Sequence, residues 1–306
     1  MAAVAVVPTV AECVAATTAA ARRHGVPTGS PAVLSTGANV LVRMGDLVAR
    51  TPRLTTVARP DPGLALARDV DLAAFLAARG VPVVPPSTDP PAGPHRVGRR
   101  TVTFWRYVRH DPGAVPSPAT VGRSLARLHT AIRAFPPSPA NAERPGLPSD
   151  VPLAEVHRLL KVLSADSELD ARTLTRLRGD ADDLGEAIHR CPGPRHPLHG
   201  DAHPGNLLRT EDGWLWTDFE DAWNGPVAWD LAVLRRTSRI DGAAAVAAYA
   251  GVADQVVDEE VLAPFVRLRE LSVVCWQLVA GLCDRGRVQA AVAGLRRYLT
   301  RPDTSR

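Results

Sequence analysis

Asp201, Asn206 and Asp218 are the residues of this chain best placed by type and spacing to do chemistry, with His199, His203, Glu220 and Asp221 around them. Asp201 and Asn206 stand five positions apart in a stretch punctuated by Gly200, Pro204 and Gly205, and the polar run Asp218-Phe219-Glu220-Asp221 follows. Leu207-Leu208-Arg209-Thr210 and Trp214-Leu215-Trp216-Thr217 read as two short strands. Between them, Glu211-Asp212-Gly213 reads as a three-residue turn with glycine where a positive φ is easiest. Setting Thr210 opposite Trp214 places Asn206 opposite Asp218, and cross-strand partners lie about 5 Å apart at Cβ. An amide oxygen and a carboxylate that close, beside a loop aspartate, form a hard-oxygen set suited to Mg²⁺, which binds one or two carboxylates plus substrate phosphates. That chemistry is phosphoryl transfer.

The elements that must position these groups can be read along the chain. Thr9 to Glu12 forms a capping box for a helix over about 10–23 that stops at Gly25. The run PAVLSTGANVLVRMGDLVART reads as strands broken by turns at Ser35-Thr36-Gly37-Ala38-Asn39 and Met44-Gly45-Asp46. A helix is expected from about Leu64 to Arg79, then strands around 95–108 in which TVTFWRYV is a buried run, with a hinge at about Trp105 to Arg109. Individually, Phe104 and Trp105 read as core. Pro116-Ser117-Pro118 opens a helix with Val121, Leu125 and Leu128 on one stripe, and His129 reads as a packed core histidine beside it. Residues 136–151 read as a mobile loop. Helices follow at about 152–164 and 168–190, another starts near Pro226, and about three fill 241–301.

Composition sets the class. The 306 residues, 45% hydrophobic and 22% charged, suit a two-lobed globular enzyme. Lys161 is the only lysine, so a mechanism that requires one must use it, and it sits on what reads as a solvated helix face. Residues 21–110 hold 13 Arg and 5 Asp, a net of +8, whereas residues 149–190 hold 6 basic and 9 acidic residues, a net of −3. The first suits an anionic nucleotide; the second would attract a cationic acceptor or simply be a solvated helix surface. Cys13, Cys191, Cys275 and Cys283 lack the spacing of a zinc site or disulfide framework. The N-terminus lacks the basic region of a signal peptide and no uncharged apolar run approaches about 20 residues, so a cytoplasmic protein without a membrane span is expected.

The Asp-x-x-x-x-Asn spacing is also that of the protein-kinase catalytic loop. With HGDAHPGNLL followed by TDFEDAWNGPVAWDLA, the chain resembles the aminoglycoside phosphotransferase and choline kinase branch of the kinase-like fold. The resemblance implies an α+β, two-lobed protein-kinase-like architecture. A small β-rich N-lobe with an extra N-terminal helix would span 1–108, and a larger, mostly helical C-lobe would span 109–306 with a helical insertion around 136–195. Asp201 would be the catalytic residue and Asn206 and Asp218 the Mg²⁺ ligands. ATP or GTP would be held by Ser35, Thr36, Gly37 and Asn39 at the place of the glycine-rich loop, although alone this segment reads as an ordinary β-turn. Arg50 would replace the usual strand lysine, partnered by Asp69, with Asp71 competing for that role. Trp105, Tyr107 and Val108 would flank the base. His203, Glu220, Asp221 and Glu270 are assigned to the acceptor side, and His199 and Asp230 to structure, Asp230 bracing the loop through backbone hydrogen bonds. Gly225 is followed by Pro226 where the family often has Asp, which affects small loop contacts.

The expected partner is a small-molecule hydroxyl acceptor, without nucleic acid or membrane, in a monomer or homodimer. Glu220 in place of the glycine of Asp-Phe-Gly and the lack of an Ala-Pro-Glu segment argue against a protein substrate. Aminoglycosides and other antibiotics, amino alcohols such as choline or homoserine, and sugars all remain open, with a lean to a cationic, antibiotic-like acceptor. Two other readings compete. One is a metal-dependent hydrolase built on His199, Asp201 and His203, and the other a nucleotide-binding scaffold that does not turn over.

Overall fold

Thr9 opens the first element with the expected reciprocal cap. Its hydroxyl accepts the Glu12 N–H at 3.2 Å and the Glu12 carboxylate accepts the Thr9 N–H at 2.8 Å. The helix that follows is α1 (Val10–Arg23). The computed structural model describes residues 7–59, 61–137, 146–166, 169–191, 193–254 and 257–300, so positions 138–145 of the expected loop over 136–151 lie outside the described residues.

Next come β1 (Ala32–Thr36), β2 (Asn39–Met44), β3 (Leu47–Pro52), α2 (Thr55–Ala58), α3 (Pro62–Ala77), β4 (His95–Val97) and β5 (Arg100–Arg106). The five strands form one antiparallel sheet in the order β1-β2-β3-β5-β4. Val40, Val42, Met44, Ala49, Val102 and Phe104 alternate onto one face, where Cys13, Ala16, Ala20 and Ala21 of α1 cover them. Arg50, opposite Leu41 and Thr103, therefore projects from the other face, where Asp69 of α3 meets it.

The larger part is helical: α4 (Pro118–Ile132), α5 (Pro152–Asp166), α6 (Ala171–His189), β6 (His196–Leu198), β7 (Leu207–Thr210), β8 (Gly213–Trp216), β9 (Trp223–Gly225), α7 (Ala228–Arg235), α8 (Gly242–Ala253), α9 (Glu259–Cys283) and α10 (Val288–Leu299). The 25-residue α9 is the axis, burying Leu262, Phe265, Leu268, Leu271 and Cys275 among the neighbouring helices. The helix expected near Pro226 begins at Ala228, because Trp223–Gly225 is drawn into a short antiparallel pair with His196–Leu198 that no sequence periodicity announced. No helix of the described residues is long and apolar enough to cross a membrane.

Candidate active site

The loop before Asp201 is fixed from beneath by Asp230 in the first turn of α7. Its carboxylate accepts the backbone N–H of His199 and of Gly200, each at 2.9 Å, and also hydrogen-bonds His129 Nε2 at 2.9 Å. His129 in turn meets the Tyr249 hydroxyl at 2.9 Å, so it is a core histidine with both ring nitrogens used. Gly200 has φ +86°, and a Cβ there would sit 1.9 Å from the Asp221 carbonyl oxygen, so only glycine lets the two polar runs approach. His199 is fully buried: Nε2 donates to the Thr217 carbonyl at 3.1 Å and Nδ1 accepts the Asp201 N–H at 3.3 Å. Burial lowers its pKa. It is thus a loop brace, and His199, Asp201 and His203 do not converge as metal ligands. Among the described residues no group of three or more His, Cys, Asp or Glu side chains is arranged to hold a metal.

The hairpin departs from the expected register. Thr210 pairs with Gly213 and Leu207 with Trp216, across a two-residue turn, Glu211-Asp212. Continued outward, this sets Asn206 against Thr217, whose N–H donates to the Asn206 carbonyl at 3.0 Å. A one-residue slip alone would turn Asp218 onto the opposite face. Asp218 escapes it by adopting φ +71°, which redirects the chain as the strand ends. Asn206 and Asp218 consequently line one cavity, by a route other than direct pairing.

Asp218 enters a buried cluster of charges. Arg50 Nη1 donates to Asp69 at 2.7 Å, and Nη2 reaches Asp218 at 2.5 Å and Glu220 at 2.8 Å. Asp69 also accepts the Phe219 N–H at 2.9 Å. Arg59 binds Glu155 at 3.0 Å, Glu220 at 3.4 Å and Asp221. Burial opposes the Arg50 charge, but its three carboxylates dominate and hold its proton more firmly than usual. Burial pushes Asp69 up to about 7, against the pull of Arg50 and with reinforcement from Asp218 and Glu220. Burial likewise raises Asp221 well above the ordinary carboxylate range despite Arg59.

Asp201 is different. Its carboxylate meets Arg269 Nη2 at 2.6 Å and His203 Nε2 at 3.3 Å. Burial works against its charge, yet these partners outweigh it and hold the carboxyl well below the usual range. Asn206 Nδ2 donates to the Asp201 carbonyl at 2.9 Å, and its Oδ1 accepts no hydrogen bond from the described residues.

Two adjoining cavities contain most of the expected site. One, of about 380 Å³, is lined by Ser35, Asn39, Arg50, Trp105, Tyr107, Val108, Asn206 and Asp218, among others. The other, of about 340 Å³, is lined by Asp201, Asp218, Glu220 and Asp221 together with Arg59, Glu155 and Arg269. Thr36 and Gly37 line neither, and Asp69 lies behind Arg50. Asn39 binds inward, its Nδ2 donating to both Glu220 carboxylate oxygens at 3.0 Å. Glu270 lines a third cavity with His203 and is held by Arg236 at 2.7 Å and Arg267 at 3.1 Å. Arg59, Glu155 and Arg269 were missed by sequence reasoning. An isolated Arg or Glu on a helix gives no local signal, and these arrive from α5, α9 and the end of α2.

The sequence matches the model of the APH phosphotransferase enzyme family over residues 36–265, and the chain belongs to that family of kinase-like small-molecule phosphotransferases. No curated protein matches it in sequence. A solved microcompartment-associated aminopropanol kinase is similar to it at 22% identity, covering 92% of this chain and 97% of the other with a TM-score of 0.66. A choline/ethanolamine kinase family protein from Mesorhizobium loti is similar at 21% identity over 95% of each chain, TM-score 0.60. The GDP and kanamycin complex of APH(2")-IIIa is similar at 18% identity over 92% and 97%, TM-score 0.66. The fold is therefore the two-lobed, protein-kinase-like α+β fold that the motifs implied.

Proposed function

We propose that this chain transfers the γ-phosphate of ATP or GTP to a hydroxyl of a small molecule, with Asp201 orienting the hydroxyl and receiving its proton. The observation that carries this reading is that Asp218 lines both cavities, the one with Arg50 and Asn206 and the one with Asp201. The nucleotide is assigned to the first and the acceptor to the second, with residues 1–108 as the nucleotide lobe, so the phosphoryl group crosses at Asp218. Transfer of this kind depends on positioning and charge neutralisation.

The donor set fits Mg²⁺. Among the described residues Asn206 Oδ1 accepts no hydrogen bond and Asp218, 35% exposed, has Arg50 as its one ion-pair partner, while the Arg50 guanidinium is shared with Asp69 and Glu220. A hard cation with one carboxylate, one amide oxygen and phosphate oxygens completes such a site. When bound, Mg²⁺ would neutralise charge on the transferred phosphoryl group. Arg50 would then exchange Asp218 for nucleotide phosphate, which its planar fork suits.

Five carboxylates against Arg59, Arg269 and Arg287 line the acceptor cavity, consistent with an amine-bearing acceptor such as an aminoglycoside-like antibiotic or an amino alcohol. The test is ATP and GTP consumption with Mg²⁺, with mass detection of a phosphate adduct, across aminoglycosides, other antibiotics, amino alcohols and sugars. An adduct that the Asp201→Asn variant does not form supports the assignment; wild-type rates in that variant refute it.

A further inference from the structure

One face of α9 separates the acceptor cavity from a larger one. Arg269, Val273 and Gln277, successive at one-turn spacing, line the Asp201 cavity and also a cavity of about 650 Å³ beside it. The larger cavity is strongly basic: Arg236, Arg239, Arg269 and Arg297 line it, with Glu270 as its one carboxylate. Glu270 is already committed to Arg236 and Arg267. Arg239 and Arg297 are exposed and form no ion pair among the described residues. The Arg239 Cζ lies 3.2 Å from where a Cβ on Gly205 would be, so this cation rests against the catalytic loop itself. His203 lines the same cavity and touches Asp201 at 3.3 Å. Uncommitted guanidinium groups around a concavity suit carboxylate or phosphate oxygens, which they bind in bidentate fashion.

We propose that this basic cavity receives an anionic group of the acceptor, a carboxylate or a phosphate, while the acceptor's hydroxyl reaches Asp201 across the Arg269 wall. The inference rests on the phosphotransferase reading above. Arg269 is the charged residue that the two cavities share. Its guanidinium pairs with Asp201 and can turn to the acceptor's anion, which releases the carboxylate towards the hydroxyl as an acceptor of this class arrives. The hydroxyl proton then passes to Asp201 as its oxygen bonds to phosphorus and the nucleoside diphosphate leaves.

The test uses matched hydroxyl compounds that differ by one anionic group, namely serine with ethanolamine, homoserine with 3-aminopropanol, and glycerol 3-phosphate with glycerol. ATP turnover is followed in the wild type and in an Arg239→Ala/Arg297→Ala variant, and thermal unfolding confirms that the variant is folded. The expected result is a higher kcat/KM for the anionic members and a rise of about tenfold or more in their KM in the variant. Preference for the uncharged or cationic members, or an unchanged KM in the variant, overturns the proposal and leaves the kinase reading intact. If no compound is phosphorylated, calorimetry with tricarballylate on the Mg·ADP-loaded chain decides. Saturable binding that the variant loses supports the anion site, and absence of binding overturns it.

Discussion

Arg269 Nη2 lies 2.6 Å from the Oδ1 of Asp201, on the carboxylate assigned to receive the hydroxyl proton. The pairing keeps Asp201 ionised throughout the neutral range and makes it a weak base until the guanidinium moves. Replacing Arg269 by Gln removes the charge that holds the carboxyl down, so the acid limb of kcat/KM should move to higher pH by about one unit or more. The sign for stability is equally fixed. A depressed carboxyl contributes stability above its unfolded value of about 4 and loses it as pH falls. Arg269→Gln should therefore show a shallower acid loss of the unfolding midpoint. An unshifted pH profile would show that Arg269 does not act on Asp201.

Asp201→Asn keeps the side-chain shape but cannot accept the proton. A loss of about 10³-fold in kcat is expected, within the range of general-base contributions. Nucleotide affinity should be nearly unchanged, because Asp201 lines the acceptor cavity and not the one with Trp105 and Val108. Equilibrium binding of a fluorescent nucleotide beside turnover separates the two effects.

Arg50 holds together two buried carboxylates, Asp69 and Glu220, and the half-buried Asp218, so Arg50→Ala should be far worse than the loss of a surface arginine. Removing one partner of a buried ion pair costs about 3–5 kcal/mol, and here the residual charges repel one another. Urea unfolding reads the cost directly. Arg50→Lys should restore part of it, since one ammonium cannot meet Asp69, Asp218 and Glu220 as a planar fork does.

These predictions draw on unequal shares of sequence and structure. The α1 capping box is legible in local spacing, whereas the strand position of Arg50, its partner Asp69, with Asp71 competing, and the bracing by Asp230 came through the family resemblance of the motifs. The hairpin register was not legible: Gly213 looked like a third turn residue but begins β8, and the positive φ of Asp218 that rescues the geometry has no sequence signature. Glu155, Arg59 and Arg269 converge only through tertiary packing, and Glu270, expected on the acceptor side, lines the neighbouring cavity, paired with Arg236 and Arg267.

Asp69 offers the most direct check on the buried cluster. Burial pushes its pKa up to about 7, with Arg50 opposing and Asp218 and Glu220 adding to the rise. In the unfolded chain an aspartate titrates near 4. Between those values the folded state retains a proton that the unfolded state has lost, so this group's contribution is full below about pH 4 and disappears as pH rises through 7. Asp69→Asn is neutral throughout and can still accept the Phe219 N–H, so it should remove this segment of the pH dependence while weakening the anchor of Arg50. Unfolding midpoints measured from pH 4 to 8 should therefore decline with rising pH more steeply in the wild type than in the variant. Parallel curves would mean that Asp69 is ionised across the range and that Arg50, with Arg59 at Glu220, balances all three carboxylates.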